Sequence, residues 1–434
     1  MSPEARSSRS LGRLVLTNVA VVLGVFLVFV GFFYTAASVS SEGSRVAVKE
    51  AFDDGTITYD IYRLLEAVPG FIVTESDNAG SCYMYGHMLA PQESLFGLGA
   101  RSADTSIGNC EALDAAVQEA DSPVVYISYY RYWQGAAAVS KIALSVVSVS
   151  QFQWLLTLTL TLLAVITSFI AWRRSRILGL GFLVTFAMTT DFLWQGFSPL
   201  HGVATVTGLI GALIVYLAFS RGWSTRWAWV VIAGIAYAMF SHTLIPMALM
   251  LITYMVTFLA VGPGRPLPSN LSGLARVLTV PVLWLIGYVG ASVARWVWTI
   301  TLGPGLETLR GEFSYSSDKF TTTAVPDPFF QIVGLLGKTW LEFGVMQVGL
   351  IGMGALIGAS IGRGSWNRSS WVPFLILASP LVFPLAYFAA WAFHINHTYV
   401  HAVPSVMVLT LLFALEVIRT NNSQPEEADE VVRT

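Results

Sequence analysis

Residues Phe152–Arg176 read FQWLLTLTLTLLAVITSFIAWRRSR, an apolar run without a single charge followed by three arginines. About 20 residues at 1.5 Å each cover a hydrocarbon core of roughly 30 Å, so Phe152–Trp172 fits one membrane crossing. Arg173, Arg174 and Arg176 place its end on the cytoplasmic side. Its start is therefore outside. The same logic applies upstream, where Arg6, Arg9 and Arg13 precede a second apolar run at 15–37. Everything between the two runs, residues 38–150, reads as exported.

Composition agrees. Of 434 residues, 55% are hydrophobic and 12% charged, against roughly 25% charged in soluble domains. Lipid offers no partner to backbone polar groups, so helices are the default spanning element, and the alternating segments of a barrel are absent. The net charge of −2 gives no sign of nucleic-acid binding.

The remaining apolar runs give further crossings at about 178–194, 203–219, two within 227–262, 277–302, 344–361, 371–393 and 400–418. Ser241-His242-Thr243 and Pro246 suit a tight turn inside the 227–262 pair. Residues 330–343 are half-amphipathic. The expectation is an all-α polytopic protein of about ten transmembrane helices with a large first extracytoplasmic loop. In that division, 1–14 is a cytoplasmic N-terminus, 15–37 the first helix and 38–150 the loop domain. The bundle then covers 151–418, with an outer loop at 303–330, and 419–434 is a disordered cytoplasmic tail. The first run also carries a small-residue site, Ala36-Ala37-Ser38, but its apolar core exceeds that of a signal peptide, which favours an uncleaved anchor.

Cys82 and Cys110 both fall in the exported loop, an oxidising setting in which they are expected to pair. Residues 46–51, 60–67 and 111–120 have helical spacing, and 124–129 suits a short strand. Tyr129-Tyr130-Arg131-Tyr132-Trp133-Gln134-Gly135 sets aromatics around one cation, and 136–149 reads as a helix in the interface.

The candidate chemistry is carboxylate, imidazole and cation. Asp53, Asp54 and Asp60 follow the first helix closely enough to stay near the membrane surface, where a carboxylate can serve as general base; the plainer reading is a solvated turn at Asp54-Gly55. Asp191 lies near the outer end of an apolar helix, where an ionisable group needs a cavity or a partner. All six histidines fall on the outer side, and His394, His397 and His401 would share a helical face. Hydrogen bonding to phosphate or sugar competes there with structural packing and, less well, with zinc. No paired-glutamate metal signature is present. The late loop holds Arg310, Glu312, Asp318 and Lys319, and its cations suit a lipid-linked phosphate.

With these features in place, the layout resembles the GT-C superfamily of membrane glycosyltransferases. The matching features are Asp53 and Asp54 after helix one, the long first loop, the interface helix after Tyr132 and the cationic late loop. Residues 131–135, 191–202 and 397–401 look similar to bacterial membrane proteins related to arabinofuranosyltransferases. The resemblance implies a sugar, in one version a pentofuranose, moved from a polyprenyl-phosphate donor to a glycan, lipid or protein acceptor at the outer face of the plasma membrane. One of Asp53, Asp54, Asp60 and Asp191 would be the base. Arg131, Gln195, His201, Arg310, Lys319, His394, His397 and His401 would bind donor phosphate or sugar. No cofactor is expected, and a divalent metal is not obligatory. The competing readings are a transporter or flippase of lipid-linked saccharide, a non-catalytic envelope assembly protein and a histidine-dependent acyltransferase.

Overall fold

The computed structural model describes residues 3–59, 62–68, 71–90, 101–103, 109–118, 126–128, 132–189, 194–241, 246–261, 271–322, 344–363, 370–390 and 402–422. Among them five helices are long and apolar enough to cross a membrane, and shorter apolar helices pack between them. This is a multi-pass, α-helical membrane architecture.

The chain opens with α1 (Pro3–Ser38) and α2 (Glu42–Asp53). Then come β1 (Tyr62–Val68), β2 (Phe71–Asp77) and α3 (Asn78–Leu89). β3 (Arg101–Ala103), α4 (Asn109–Gln118) and β4 (Tyr126–Ser128) complete the loop segment. β1 pairs antiparallel with β2, and β3 with β4. The helical spacing at 60–67 is therefore overturned: Tyr62–Val68 is a strand, paired with its neighbour through an irregular register. The strand expected at 124–129 is present as β4.

α5 (Gly135–Leu144) and α6 (Val149–Arg174) follow. A capping box starts α6: the Gln151 N–H donates to Ser148 Oγ at 3.2 Å, and the Ser148 N–H to Gln151 Oε1 at 3.1 Å. α7 covers Arg176–Val184. It runs on into a π-helical turn, Thr185–Thr189, and a short 3-10 turn covers Trp194–Phe197. The bundle is completed by α8 (Pro199–Ser220), α9 (Arg226–Phe240), α10 (Pro246–Ala260) and α11 (Leu271–Leu302). α12 (Leu306–Thr322), α13 (Gly344–Gly362), α14 (Trp371–Ala378), α15 (Val382–Ala390) and α16 (Ala402–Asn422) end the chain.

Lipid is as apolar as leucine, so helices in it associate by close packing more than by burial from water. α9 and α11 show how. A Cβ on Gly234 would sit 2.0 Å from the Trp284 carbonyl oxygen, and one on Gly287 would sit 2.1 Å from that of Val231. Only glycine lets these two backbones touch. Four buried threonines of the bundle are satisfied locally: Thr167, Thr253, Thr257 and Thr410 each donate to the carbonyl four residues earlier.

One charge cluster ties the arginine-bearing end. Glu416, fully buried on α16, accepts from Ser175 Oγ at 2.7 Å and from Arg419 Nε and Nη2 at 2.9 and 3.0 Å. Both carboxylate oxygens are thus paired across the α6–α7 turn, which offsets the cost of burying the charge.

The loop segment forms a cap on the opposite end. Cys82, Tyr85, Met88 and Leu113 of the cap share one core with Phe152 and Leu156 at the start of α6 and Leu200 and Val203 at the start of α8. Cap and bundle are one packed body there.

Candidate functional site

The cap is pinned over the bundle by α2 and α5. Ser44 Oγ donates to the Lys141 carbonyl at 3.1 Å, and Arg45 Nη1 to the Ala116 carbonyl at 2.5 Å. Phe52 stacks on Tyr59, whose hydroxyl donates to Asp114 at 2.6 Å. That carboxylate, by accepting the phenolic proton, holds the Tyr59 pKa above its ordinary value. Lys141 is buried, with Nζ 3.4 Å from the Ala37 carbonyl at the end of α1. A cation there complements the partial negative charge of a helix C-terminus.

Asp53 ends α2 and Asp54 caps it, both exposed. Asp54 Oδ1 accepts from the Thr56 N–H at 2.8 Å, and Gly55 supplies φ +75°. The turn foreseen at Asp54-Gly55 is real, and it occupies one of the Asp54 carboxylate oxygens.

The start of α8 is the second cluster. His201 is buried in its first turn. Gln195 accepts from Thr205 Oγ1, and Gln153 Nε2 donates to the Phe197 carbonyl at 2.9 Å. A Cβ on Gly196 would lie 2.5 Å from the Thr157 backbone nitrogen. The 3-10 turn is thereby pressed onto α6, and Gln195 has a defined structural partner beside any contact with a ligand.

The third cluster joins the start of α5 to α11. Trp133 Nε1 donates to the Ala291 carbonyl of α11 at 2.8 Å. The Arg295 guanidinium, one turn further along α11, lies 5.3 Å from the Trp133 ring centre, a cation–π distance. Arg295 is 3% exposed. Next to Trp133, Gln134 adopts φ 56°, ψ 40°, a left-handed conformation uncommon outside glycine. Its side chain is 2% exposed, and neither amide atom has a hydrogen-bond partner. Gly135 explains how the turn fits: a Cβ there would meet the Met239 carbonyl oxygen at 2.5 Å.

The other sequence candidates fall as follows. Arg310 lies on α12, exposed, paired with Glu307 at 2.8 Å. Lys319 is on the same helix, but its side chain lies outside the described residues, as do Asp60, Arg131, Asp191, His394, His397 and His401. Cys82 and Cys110 form a disulfide. Among the described residues no three His, Cys, Asp or Glu side chains gather to hold a metal ion.

Sequence reading missed Arg295. Its signal was plain: a lone arginine seven residues before the end of the 277–302 run, too deep to be one of the loop cations. It also passed over Gln134 inside a stretch it had singled out, because a left-handed backbone leaves no mark when the residue is not glycine.

No known protein family, curated protein or solved structure matches this chain.

Proposed function

We propose that this chain is an integral membrane glycosyltransferase that moves a sugar from a polyprenyl-phosphate donor to a cell-envelope acceptor. The reading keeps about ten crossings with both ends in the cytoplasm. It places the cap on the extracytoplasmic face of the plasma membrane and the chemistry beneath it. The observation that carries it is the buried Arg295–Trp133–Gln134 cluster at the cap–bundle junction. A buried cation in a membrane helix is costly and is retained where function needs it. In the proposed reading this cation meets the phosphate of the donor.

The reaction is an inverting displacement. A carboxylate takes the proton of an acceptor hydroxyl, the oxygen attacks the anomeric carbon, and the bond to the lipid phosphate breaks with its electron pair left on the phosphate. A cation beside that phosphate stabilises the leaving charge. The base is one of Asp53, Asp54, Asp60 and Asp191; the turn engages one Asp54 oxygen and leaves the other for a proton. The self-satisfied threonines and the apolar core of the described bundle count against a transport path, which would need polar groups free to carry a saccharide.

The test is transfer of a labelled pentose from a synthetic polyprenyl-phosphate donor by membranes carrying the chain, with Asp53→Asn, Asp54→Asn, Asp60→Asn and Asp191→Asn in parallel. The expected result is turnover lost by at least 100-fold in one of the four. Unchanged envelope glycans and an unchanged lipid-linked sugar pool in a deletion strain would remove the transferase reading.

A further inference from the structure

Glu416 is the hub of the arginine-bearing end. Ser175, the single extended residue between α6 and α7, donates to it, and Arg419 holds both of its oxygens. Ser360, fully buried near the end of α13, faces the same carboxylate. Each of these contacts brings arginines with it. Arg173, Arg174 and Arg176 adjoin Ser175, Arg363 follows Ser360 by one turn, and Arg419 lies one turn past Glu416. Five guanidinium groups from three separate stretches of chain thus gather around one acid. Among the described side chains of this end there is no second carboxylate, and Arg419 already engages the one present. The positive-inside rule accounts for arginines in each inner loop, but it does not bring three loops together. Arg174 is the least satisfied of them: its Nη1 is buried and has no hydrogen-bond partner among the described residues. Such a donor costs free energy until a ligand or water supplies an acceptor.

The face beside this cluster is hydrocarbon. α7 turns Gly179 to α6, where a Cβ would meet Trp172, and Gly181 to α16, where it would meet Leu412. Its Val184 lies against Gly352 of α13. The side left over carries Arg176, Leu180 and Leu183 in one exposed stripe. Trp172, half-exposed on α6, borders that stripe. Depth fits as well. From Trp154, exposed near the start of α6, to Arg174 is twenty residues of helix, roughly 30 Å and so the thickness of the hydrocarbon core. The guanidinium groups stand at the level of lipid phosphates.

We propose that this lip binds an anionic phospholipid of the cytoplasmic leaflet, with Arg174, Arg176 and Arg363 on its phosphate and an acyl chain along Leu180 and Leu183. It lies at the opposite end from the cap and stands or falls without the transferase reading. The phosphate gives Arg174 its missing acceptor through a charge-assisted bond. Basic pockets between membrane helices on the cytoplasmic side hold headgroups of this kind. A soluble anion would need the arginines alone, whereas here Arg176 heads an apolar stripe on its own helix. The bound lipid ties α6, α7 and α13 together from outside, as Glu416 does from within.

The experiment titrates the full-length, disulfide-intact chain in detergent with phosphatidylglycerol, with phosphatidylcholine of the same acyl chains and with inorganic phosphate, and reads bound lipid by native mass spectrometry. Phosphatidylglycerol should bind about tenfold or more tighter than phosphatidylcholine and should raise the thermal unfolding midpoint. Arg174→Gln/Arg176→Gln should abolish that preference. Arg221→Gln/Arg226→Gln, an equal loss of charge at the α8–α9 turn, should keep it. If the first pair fails to fold, Arg176→Gln/Arg363→Gln, both at exposed positions, takes its place. Equal binding of the two lipids by the wild type overturns the proposal. So does an equal loss in both arginine pairs, which would mean diffuse surface charge. Displacement of the lipid by an equal concentration of inorganic phosphate overturns the acyl-chain contact.

Discussion

Reducing the Cys82–Cys110 disulfide should loosen the cap and leave the bundle folded. The bridge spans a sequence separation of 28. In the chain-entropy treatment, closing such a loop removes about 12 cal/mol/K from the unfolded chain, or about 3.6 kcal/mol at 25 °C. The loss falls on particular contacts. α4 carries Cys110, and it also receives Arg45 of α2 on the Ala116 carbonyl and Tyr59, just after α2, on Asp114, while Ser44 ties α2 to α5. Freeing α4 therefore loosens α2. The assay is pulse proteolysis in detergent across a urea series with a protease that cuts after basic residues, comparing oxidised and reduced wild type with the Cys82→Ala/Cys110→Ala double variant. The midpoint should fall by the equivalent of about 3–4 kcal/mol, with new cleavage at Arg45 and Lys49. Reduced wild type should lose slightly less than the double variant, which also gives up two buried sulfurs. A loss under about 1 kcal/mol, or cleavage that spares α2, would show that α4 is held by its packing and that the bridge is incidental.

Three further outcomes follow from the packing. Gly234→Ala puts a methyl 2.0 Å from a backbone oxygen, so α9 and α11 must part; thermal unfolding in micelles should register a loss of about 2–3 kcal/mol, and an unchanged transition would mean the two backbones are not in contact. Glu416→Gln leaves Arg419 without its carboxylate and should cost about 3 kcal/mol or more, measured in the same way; the compensating Glu416→Leu/Arg419→Leu pair should be closer to wild type than Glu416→Gln. For Tyr59, the folded pKa lies above the unfolded one, so its stabilisation is present below pH of about 10 and is lost as pH rises toward the folded pKa. Tyr59→Phe should flatten that alkaline loss, seen in cap proteolysis against pH, and a profile identical to wild type would remove the Asp114 bond from the account.

Particular residues show how far the sequence could be read. The apolar runs ending at Arg174, Arg221 and Arg419 became α6, α8 and α16, because twenty residues of hydrocarbon next to a cationic end have one physical solution in a bilayer. The cysteine pair was legible for a similar reason: two thiols in one exported loop have few other fates. The turn at Asp54-Gly55 was legible from the glycine. By contrast, Tyr62–Val68 has apolar residues at both helical and strand spacing, and pairing with Phe71–Asp77 decided for the strand. The 178–194 run gave no sign that α7 passes into a π turn at Thr185, since hydropathy does not record where a helix loosens.

The candidate site divides along the same line. Sequence alone determined that this is a multi-pass helical chain, because hydrophobicity is a property of each residue wherever it ends up. Only the tertiary structure decided that Arg295 meets Trp133 and that Gln134 is buried with its amide unpaired. It also showed that α1, α9 and α11 share an apolar groove. Those are properties of residues more than a hundred positions apart, set by which helix faces touch, and the α9–α11 face is fixed by two glycines whose missing side chains say nothing about their partner until the backbones are seen together.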